Sequence, residues 1–383
     1  IDIPMDVQKA VIDFEYPEKC EIRSYKPTTK GNYVQVRRVM AALEEAEKPL
    51  ICIGGGVFAA HAENEIRELA DLMQIPVITT MMGISVFPDD DQLFCGMIGT
   101  HGVKMANAAV NECDVLFLVG ARVGDRAVKT PLALEKTTKI IHIDIDPAEI
   151  GKNIGADLPL VGDAKLVLQQ MTELAKPMKH DEWIAHIKTL GGERKYVEPA
   201  KGTVNPRVFI DRLAKKMPAN VTVVADVGQN QIWTCTEYKF RKEGRLLTSG
   251  GMGTMGYSVP AAIGAKMADN SRATVAICGD GAFQMSFMEL ATAVQFGVDI
   301  KVVVMTNNRL GMVRELQTNG YHDRQTAVFL DGSPDFIKLA EAYGIPAMRV
   351  YDDDTMEKGV EMLAEHKGIC LVEVVVDKDM PTL

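Results

Sequence analysis

The stretch Val275 to Asn308, VAICGDGAFQMSFMELATAVQFGVDIKVVVMTNN, decides the fold. Val275 to Cys278 is a short apolar run of the buried-strand kind, and Gly279-Asp280-Gly281 ends it. Phe283 to Phe296 carries apolar residues at helical spacing (Phe283, Phe287, Leu290, Ala291, Val294), and Ile300 to Met305 is a second β-branched run. Strand, loop, helix and strand make a βαβ unit with a right-handed crossover. Both strands then point the same way, so Asp280 and Asn307-Asn308, just past their C-terminal ends, meet at one sheet edge. A carboxylate and an amide oxygen brought together suit a hard divalent cation. Mg²⁺ takes a few protein oxygens and fills its shell with phosphate oxygens and water. Gly279 and Gly281 let a phosphate approach the backbone, and the start of the following helix favours negative charge. Asp-Gly and Asn-Asn are also ordinary turn dipeptides. Their separation of 27 positions (307 − 280), at the ends of adjacent parallel strands, weighs for the metal over two unrelated turns.

Upstream, strands and helices alternate in the same way. An amphipathic helix is expected over Asn32 to Ala46, a strand over Pro49 to Ile53 and then Gly54-Gly55-Gly56. Helix Ala60 to Met73, strand Val77 to Thr80, helix Gly102 to Asn111, strand Val115 to Val119 and strand Lys139 to Ile145 follow. This alternation predicts an α/β protein of two doubly wound parallel-sheet domains, with ligands at the strand C-termini. Gly54-x-Gly56-x-x-Ala59 fits a dinucleotide fingerprint and equally a tight strand-to-helix turn that needs no ligand.

Residues 172–201 are polar and punctuated by Pro and Gly, with one short helix near Asp181 to Leu190; they read as a linker on which His180 and His186 face solvent. The last domain, 202–383, opens with a Pro-initiated helix from Pro206 to Met217, then strand Val221 to Ala225 and the loop Asp226 to Asn230. Backbone and amide donors of Gly228, Gln229 and Asn230 are placed there to cradle a diphosphate. Helices Asp335 to Tyr343 and Thr355 to Ala364, with strands Ala347 to Val350 and Cys370 to Val376, complete the second sheet.

The composition is that of an ordinary globular chain: 383 residues, 47% hydrophobic and 25% charged. A net charge of −10 provides no basic footprint for nucleic acid or an anionic membrane, and no apolar run is long enough to span a bilayer. Seven cysteines show no CxxC pairing, and Cys52, Cys278 and Cys370 lie in apolar runs, which predicts reduced core thiols and a cytoplasmic location.

The GDG followed after some two dozen residues by Asn resembles the metal–diphosphate signature of thiamine diphosphate (ThDP) enzymes. With Leu310-Gly311-Met312-Val313 and Thr248-Ser249-Gly250-Gly251-Met252-Gly253-Thr254-Met255-Gly256, the chain is similar to the large catalytic subunit of acetohydroxyacid (acetolactate) synthase over essentially its whole length. The resemblance implies that Asp280, Asn307 and the Arg309 carbonyl hold Mg²⁺, and that Gly228, Gln229, Asn230, Gly253, Thr254, Gly279, Gly281 and Ala282 line the ThDP site. Met255 would wedge the cofactor into its bent shape, while Met312 and Leu316 line the substrate pocket. It also implies FAD, structural rather than redox, in a middle domain over 31–171. The matching segments are Gly54-Gly55-Gly56, Thr79-Thr80-Met81, Ile98-Gly99-Thr100-His101, Gly120-Ala121-Arg122, Arg126, Asp144-Ile145 and Asp163-Ala164. Arg122 and Arg126 are the expected partners of flavin phosphate or sugar, and their alternative is ordinary surface salt-bridging.

The activity implied is decarboxylation of pyruvate and condensation with a second 2-oxo acid, giving 2-acetolactate or 2-aceto-2-hydroxybutyrate in branched-chain amino-acid biosynthesis. A homodimer or homotetramer with a small regulatory subunit is implied too. Three departures from the family pattern stand out: Asn230 for His, Gly124 for Asp, and Leu316 for Trp. The smaller Leu316 predicts a weaker preference for 2-oxobutyrate over pyruvate. Residues 1–30 read as the exit strand of a preceding domain, Ile1 to Val7, and a connector. No segment matches the family's N-terminal pyrimidine-binding domain, which carries its catalytic glutamate, so no catalytic acid or base is assigned and the expected enzyme is incomplete. The alternatives are another ThDP enzyme of 2-oxo acids, a cofactor-binding module without turnover, and a simple NAD-binding protein.

Overall fold

A computed structural model describes residues 2–20, 22–128, 131–192 and 196–383. Ile1 of the expected exit strand, Glu21 of the connector and Glu193, Arg194 and Lys195 of the linker lie outside the described residues. Within them are two six-stranded sheets, parallel throughout. The first holds β1 (Pro49–Ile53), β2 (Val77–Thr79), β3 (Phe94–Met97), β4 (Val115–Val119), β5 (Lys139–Asp144) and β6 (Leu158–Val161) in the order β3-β2-β1-β4-β5-β6. The second holds β7 (Thr222–Ala225), β8 (Arg245–Thr248), β9 (Thr274–Gly279), β10 (Lys301–Thr306), β11 (Ala347–Val350) and β12 (Cys370–Val375) in the order β11-β12-β10-β9-β7-β8. The expected α/β class with two doubly wound sheets is what the chain adopts.

Both sheets are buried on both faces, as parallel sheets are, and successive residues of a strand feed opposite cores. On β4, Val115, Phe117 and Val119 enter one apolar cluster and Leu116 and Leu118 the other. On β9, Val275 and Ile277 point one way while Ala276 and Cys278 point the other. That is why these strands read as unbroken apolar runs. The order of the first sheet reverses between β1 and β4, and that of the second between β7 and β9 and again at its far edge, where β12 returns between β11 and β10. In doubly wound sheets ligands gather at such reversals, on the C-terminal edge.

Several elements differ from expectation. Residues 5–9 form a short exposed helix, Met5–Lys9, where an exit strand was expected, because no neighbouring strand supplies a ladder. The helix expected over Ala60 to Met73 begins only at Glu63; a separate short helix, Gly56–Ala59, precedes it, and His61 between the two adopts a left-handed φ of 52°. The helix Asp181–Thr189 is no free linker: Trp183 and Ile187 are buried, and the Trp183 indole N–H donates to the Pro49 carbonyl at 3.0 Å. His180 is buried rather than solvent-facing, its Nδ1 3.1 Å from the Met73 carbonyl, whereas His186 does lie at the surface beside Glu112. Strands β3, β6 and β8 had no strong apolar signal, since each is four residues long and only half buried or at a sheet edge.

The two halves touch directly. Asp89 accepts from the Phe240 N–H at 2.8 Å while its own N–H donates to the Phe240 carbonyl at 2.9 Å. Ser85 accepts from Leu246 N–H at 2.9 Å, and Arg245 pairs with Glu63.

Candidate functional site

β9 and β10 pair in parallel with Met305 opposite Gly279, so Asp280 and Asn307 emerge side by side at the edge, as the βαβ unit requires. Asp280 does not sit in a loop, however. It is the first residue of a helix, Asp280–Gln284, capped by Gly279, and the expected long helix is interrupted at Ser286 before resuming as Leu290–Gln295. Five residues give little macrodipole, so less of the anion preference comes from this helix than the sequence suggested. The longer helix Gln229–Glu237 starts just after β7, on the other side of the chain reversal, and aims its N-terminus at the same place. Gly228 before it has a φ of 141°, which only glycine adopts without strain.

Asp280 is 1% exposed and is tied to both strand ends. Its Oδ1 accepts from Gly281 N–H at 2.8 Å, and its Oδ2 from Asn307 N–H at 3.2 Å and Asn308 N–H at 2.6 Å. Burial pushes its carboxyl up to about 6, with the N–H groups of Asn308, Gly281 and Asn307 pulling the other way. Among the described residues no cation pairs with Asp280. Nor is there any cluster of three or more His, Cys, Asp or Glu side chains arranged to hold a metal. A lone buried carboxylate beside an amide oxygen suits Mg²⁺, which recruits phosphate oxygens for the rest of its shell. It does not suit an all-protein zinc site.

A cavity of about 110 Å³ lies over this edge, lined by Gly228, Gln229, Asn230, Met255, Gly279, Asp280, Gly281, Ala282, Asn307, Arg309 and Met312, among others. The sequence-predicted residues of the second domain therefore converge, apart from Gly253, Thr254 and Leu316, which stand on its exposed flanks. Met255 bridges from its loop to Gly281, where an added Cβ would meet the Met255 methyl at 3.3 Å. The Arg309 guanidinium turns outward onto Asp331 and over the Phe329 ring, leaving its backbone at the site.

The two amides expected as diphosphate donors are committed elsewhere. Asn230 Nδ2 donates to the carbonyls of Asp226, at 2.8 Å, and Ile277, at 3.2 Å. Gln229 Nε2 donates to the Met380 carbonyl at 2.9 Å, to Thr382 Oγ1 at 3.2 Å and to Glu315 Oε2 at 3.3 Å. The donors left for an anion are backbone N–H groups at the start of the Gln229–Glu237 helix. Residues not singled out from the sequence hold this frame. Asp226, fully buried, accepts from Val227, Gly256 and Ser258 N–H groups and pins the 249–257 loop to the end of β7. Glu315 and Thr382 brace Gln229. The signal for Asp226 was an acid in an apolar strand end; Thr382 carried none.

In the first domain the expected flavin segments fall in one row along the C-terminal edge: 98–101 after β3, 79–81 at β2, 54–56 after β1, 120–126 after β4, 144–145 at β5 and 163–164 after β6. Six strands spaced ~4.8 Å apart make an edge of roughly 24 Å, long enough for an extended dinucleotide. Thr79 Oγ1 is buried there without a partner, and Arg122 and Arg126 are exposed with no ion pair among the described residues. The fingerprint glycines have another use. A Cβ on Gly54 would lie 2.1 Å from the Gly120 carbonyl oxygen, so Gly54 and Gly120 are close-packed loop against loop. At Gly124 there is open space, and the expected acid would fit.

Two family profiles match: "Thiamine pyrophosphate enzyme, central domain" over residues 36–171 and "Thiamine pyrophosphate enzyme, C-terminal TPP binding domain" over 226–374. The chain is similar to a probable acetolactate synthase large subunit of Methanocaldococcus jannaschii, 40% identical over 98% of this chain and 66% of that protein. It is similar to the acetolactate synthase large subunit of Corynebacterium glutamicum, 39% identical over 91% and 58%. It is also 39% identical to the acetolactate synthase of Arthrospira platensis over 99% of this chain and 67% of that one. The chain thus spans about three-fifths to two-thirds of the length of these relatives.

Proposed function

The chain belongs to the acetolactate synthase family of thiamine pyrophosphate enzymes, and on that premise we propose the role of each half. The second domain holds the diphosphate of ThDP through Mg²⁺, and the first holds FAD as a structural group. The complete enzyme joins two 2-oxo acids, pyruvate being the donor, toward branched-chain amino acids. It works as a homo-oligomer with a small regulatory subunit. The observation that carries this reading is the buried Asp280, without a cationic partner among the described residues, beside Asn307 at the edge of β9 and β10.

Bound there, ThDP supplies the electron sink that lets a 2-oxo acid lose CO₂ and its remaining two-carbon unit join a second carbonyl. The chain's own residues position and exclude. Asp280, the Asn307 amide oxygen and the Arg309 carbonyl would hold the cation, and the backbone N–H groups of Gln229 and Asn230 would meet the diphosphate. Gly279 and Gly281 keep the floor free of side chains. Met255, over Gly281, fills space at the cavity, where it would press against the bound cofactor. Helix Gly311–Gly320 carries Met312 at the cavity and Leu316, 59% exposed, toward the acceptor side. Leu316 fills less space than an aromatic residue, so discrimination for the larger acceptor, 2-oxobutyrate, is weak; an extra methylene is worth only ~1–3 kcal/mol even in a snug pocket. A strong 2-oxobutyrate preference in the complete enzyme would overturn that last point.

The test is calorimetric titration of ThDP into the chain with Mg²⁺ and with EDTA, repeated on Asp280→Ala. Metal-dependent binding lost in the variant supports the site. Metal-dependent binding that survives Asp280→Ala overturns it.

A further inference from the structure

Gln229 is held by its nitrogen end. Three acceptors surround Nε2: the Met380 carbonyl, Thr382 Oγ1 and Glu315 Oε2. Thr382 in turn gives its hydroxyl proton to Glu315 Oε2, and its N–H lies 3.1 Å from the same oxygen, so its remaining lone pair faces Gln229. Turning the Gln229 amide over would set its oxygen against three acceptors, one of them a carboxylate. The orientation is therefore fixed, and Oε1 faces Asn307, whose Nδ2 donates to it at 3.3 Å. Asn307 is held at both ends: Nδ2 donates to Gln229 and Oδ1 accepts from the Arg309 N–H at 3.0 Å, which leaves Oδ1 as the side-chain atom with a lone pair to offer a cation. A steric observation agrees. A Cβ on Gly311 would fall 1.9 Å from Gln229 Oε1, so the first residue of the Gly311–Gly320 helix is bare where the amide passes.

We propose that Glu315, with Thr382, is a positioning residue for the cation: it sets the Gln229 amide, which sets the Asn307 amide, so that an oxygen and not a nitrogen faces the metal. The inference rests on the reading of Asp280 and Asn307 as cation ligands. An asparagine free to rotate presents the wrong atom part of the time, and one lost hydrogen bond of ~1 kcal/mol corresponds to about a fivefold weaker site. The relay also joins the metal edge to residues 380–382, which lie some 70 positions beyond Asn307 in sequence (380 − 307 = 73).

The experiment is Mn²⁺ binding in the presence of ThDP, followed by electron paramagnetic resonance of free Mn²⁺. Glu315→Leu is expected to raise the Mn²⁺ Kd about fivefold, Glu315→Gln, which keeps an acceptor, to restore it, and Thr382→Val to raise it about twofold. Asn307→Asp presents oxygen in either orientation, so adding Glu315→Leu to it should change nothing further. A merely structural Glu315 would weaken both backgrounds alike. Unchanged Kd in Glu315→Leu, or an equal loss in the Asn307→Asp background, overturns the relay. If Glu315→Leu does not fold, Thr382→Val against Asn307→Asp decides alone. Asp280→Ala separates the premise: Mn²⁺ binding that persists there removes the site itself, whereas binding lost there but indifferent to Glu315 removes only the relay.

Discussion

At the C-terminal edge of the first sheet backbone meets backbone; at that of the second, buried polar side chains meet one another. Gly54 and Gly56 pack on Gly120, and Gly83 packs on the Ile53 carbonyl, so the reversal between β1 and β4 is closed by contact. The arginines of that edge, Arg122 and Arg126, stand outside it in solvent. At the reversal between β7 and β9, Asp226, Gln229, Asn230 and Asp280 are all at least 96% buried and bonded to one another's loops. Two sheets of one plan thus finish their ligand edges by different physics. One is a close backbone seam, hydrogen-bonded from Gly54 to Val119 and from Gly56 to Gly120, with a row of adaptable contacts, and the other is a network of buried polar side chains whose members must all be satisfied.

The largest effect that would sharpen this contrast is steric. Gly54→Ala places a Cβ 2.1 Å from a carbonyl oxygen that belongs to a packed loop and cannot step aside. A loss of about 3 kcal/mol is expected in denaturant unfolding of the first domain, at the upper end for overpacking. Gly311→Ala has a shorter clash on paper, 1.9 Å, but against the tip of a side chain. Its stability loss should be about 1 kcal/mol, with a fall in Mn²⁺ affinity that Gly54→Ala does not share. Equal stability losses in the two variants would break the comparison.

Next in size is the response to pH. The Asp280 carboxyl, raised to about 6 by burial, binds its proton more tightly folded than unfolded, where carboxyls titrate near their ordinary value of 3.8. Between these values the metal-free fold loses stability as pH rises, and above about 6 the full cost of a buried charge is carried. A bound cation needs the charged form. Its affinity should be flat above about pH 6 and fall toward tenfold per unit below it, while the FAD binding proposed for the first sheet should stay level over the same range. Isothermal titration at pH 5, 6 and 7.5 in parallel would show it, and a metal affinity level to pH 5 would contradict the burial of Asp280 as a charged group.

How legible this was follows from the same contrast. β1, β4, β9 and β10 are apolar on both faces and were readable as runs, and with them the class of fold and the meeting of Asp280 with Asn307. β3 and β6 are short edge strands with mixed burial, and they left no period to read. The helix Gln229–Glu237 is buried all round, so a sequence such as QNQIWTCTE carries polar residues where an apolar stripe was sought. Sequence marks Asn230 as a donor to the ligand because residue type shows what a side chain can do, not where its hydrogens go. Its two carbonyl partners, Asp226 just past β7 and Ile277 within β9, are 51 positions apart in sequence (277 − 226), and only the sheet brings them to one point. The Glu315–Gln229 contact spans 86 positions and Thr382–Gln229 spans 153, distances at which no local pattern survives.

The smallest expected effect tests the open edge. Arg122 and Arg126 are exposed and form no ion pair among the described residues, so removing either costs the fold little, within about 0.5 kcal/mol. If they serve the phosphates of FAD, Arg122→Gln and Arg126→Gln should each weaken it about fivefold, the worth of one charge-assisted hydrogen bond at a partly solvated site, read from quenching of flavin fluorescence. Because each side chain acts singly on a flexible stem, the two losses should add in the double variant, and both should shrink as salt rises. The polar network of the second sheet behaves otherwise: losses there are shared, so a second substitution within Glu315, Gln229 and Asn307 adds less than the first. Additive losses at Arg122 and Arg126 beside non-additive ones at Glu315 and Asn307 would establish that the two edges differ in kind. Non-additivity at the arginines would mean that the first edge too is a coupled site, its cations drawn together by the ligand rather than waiting apart.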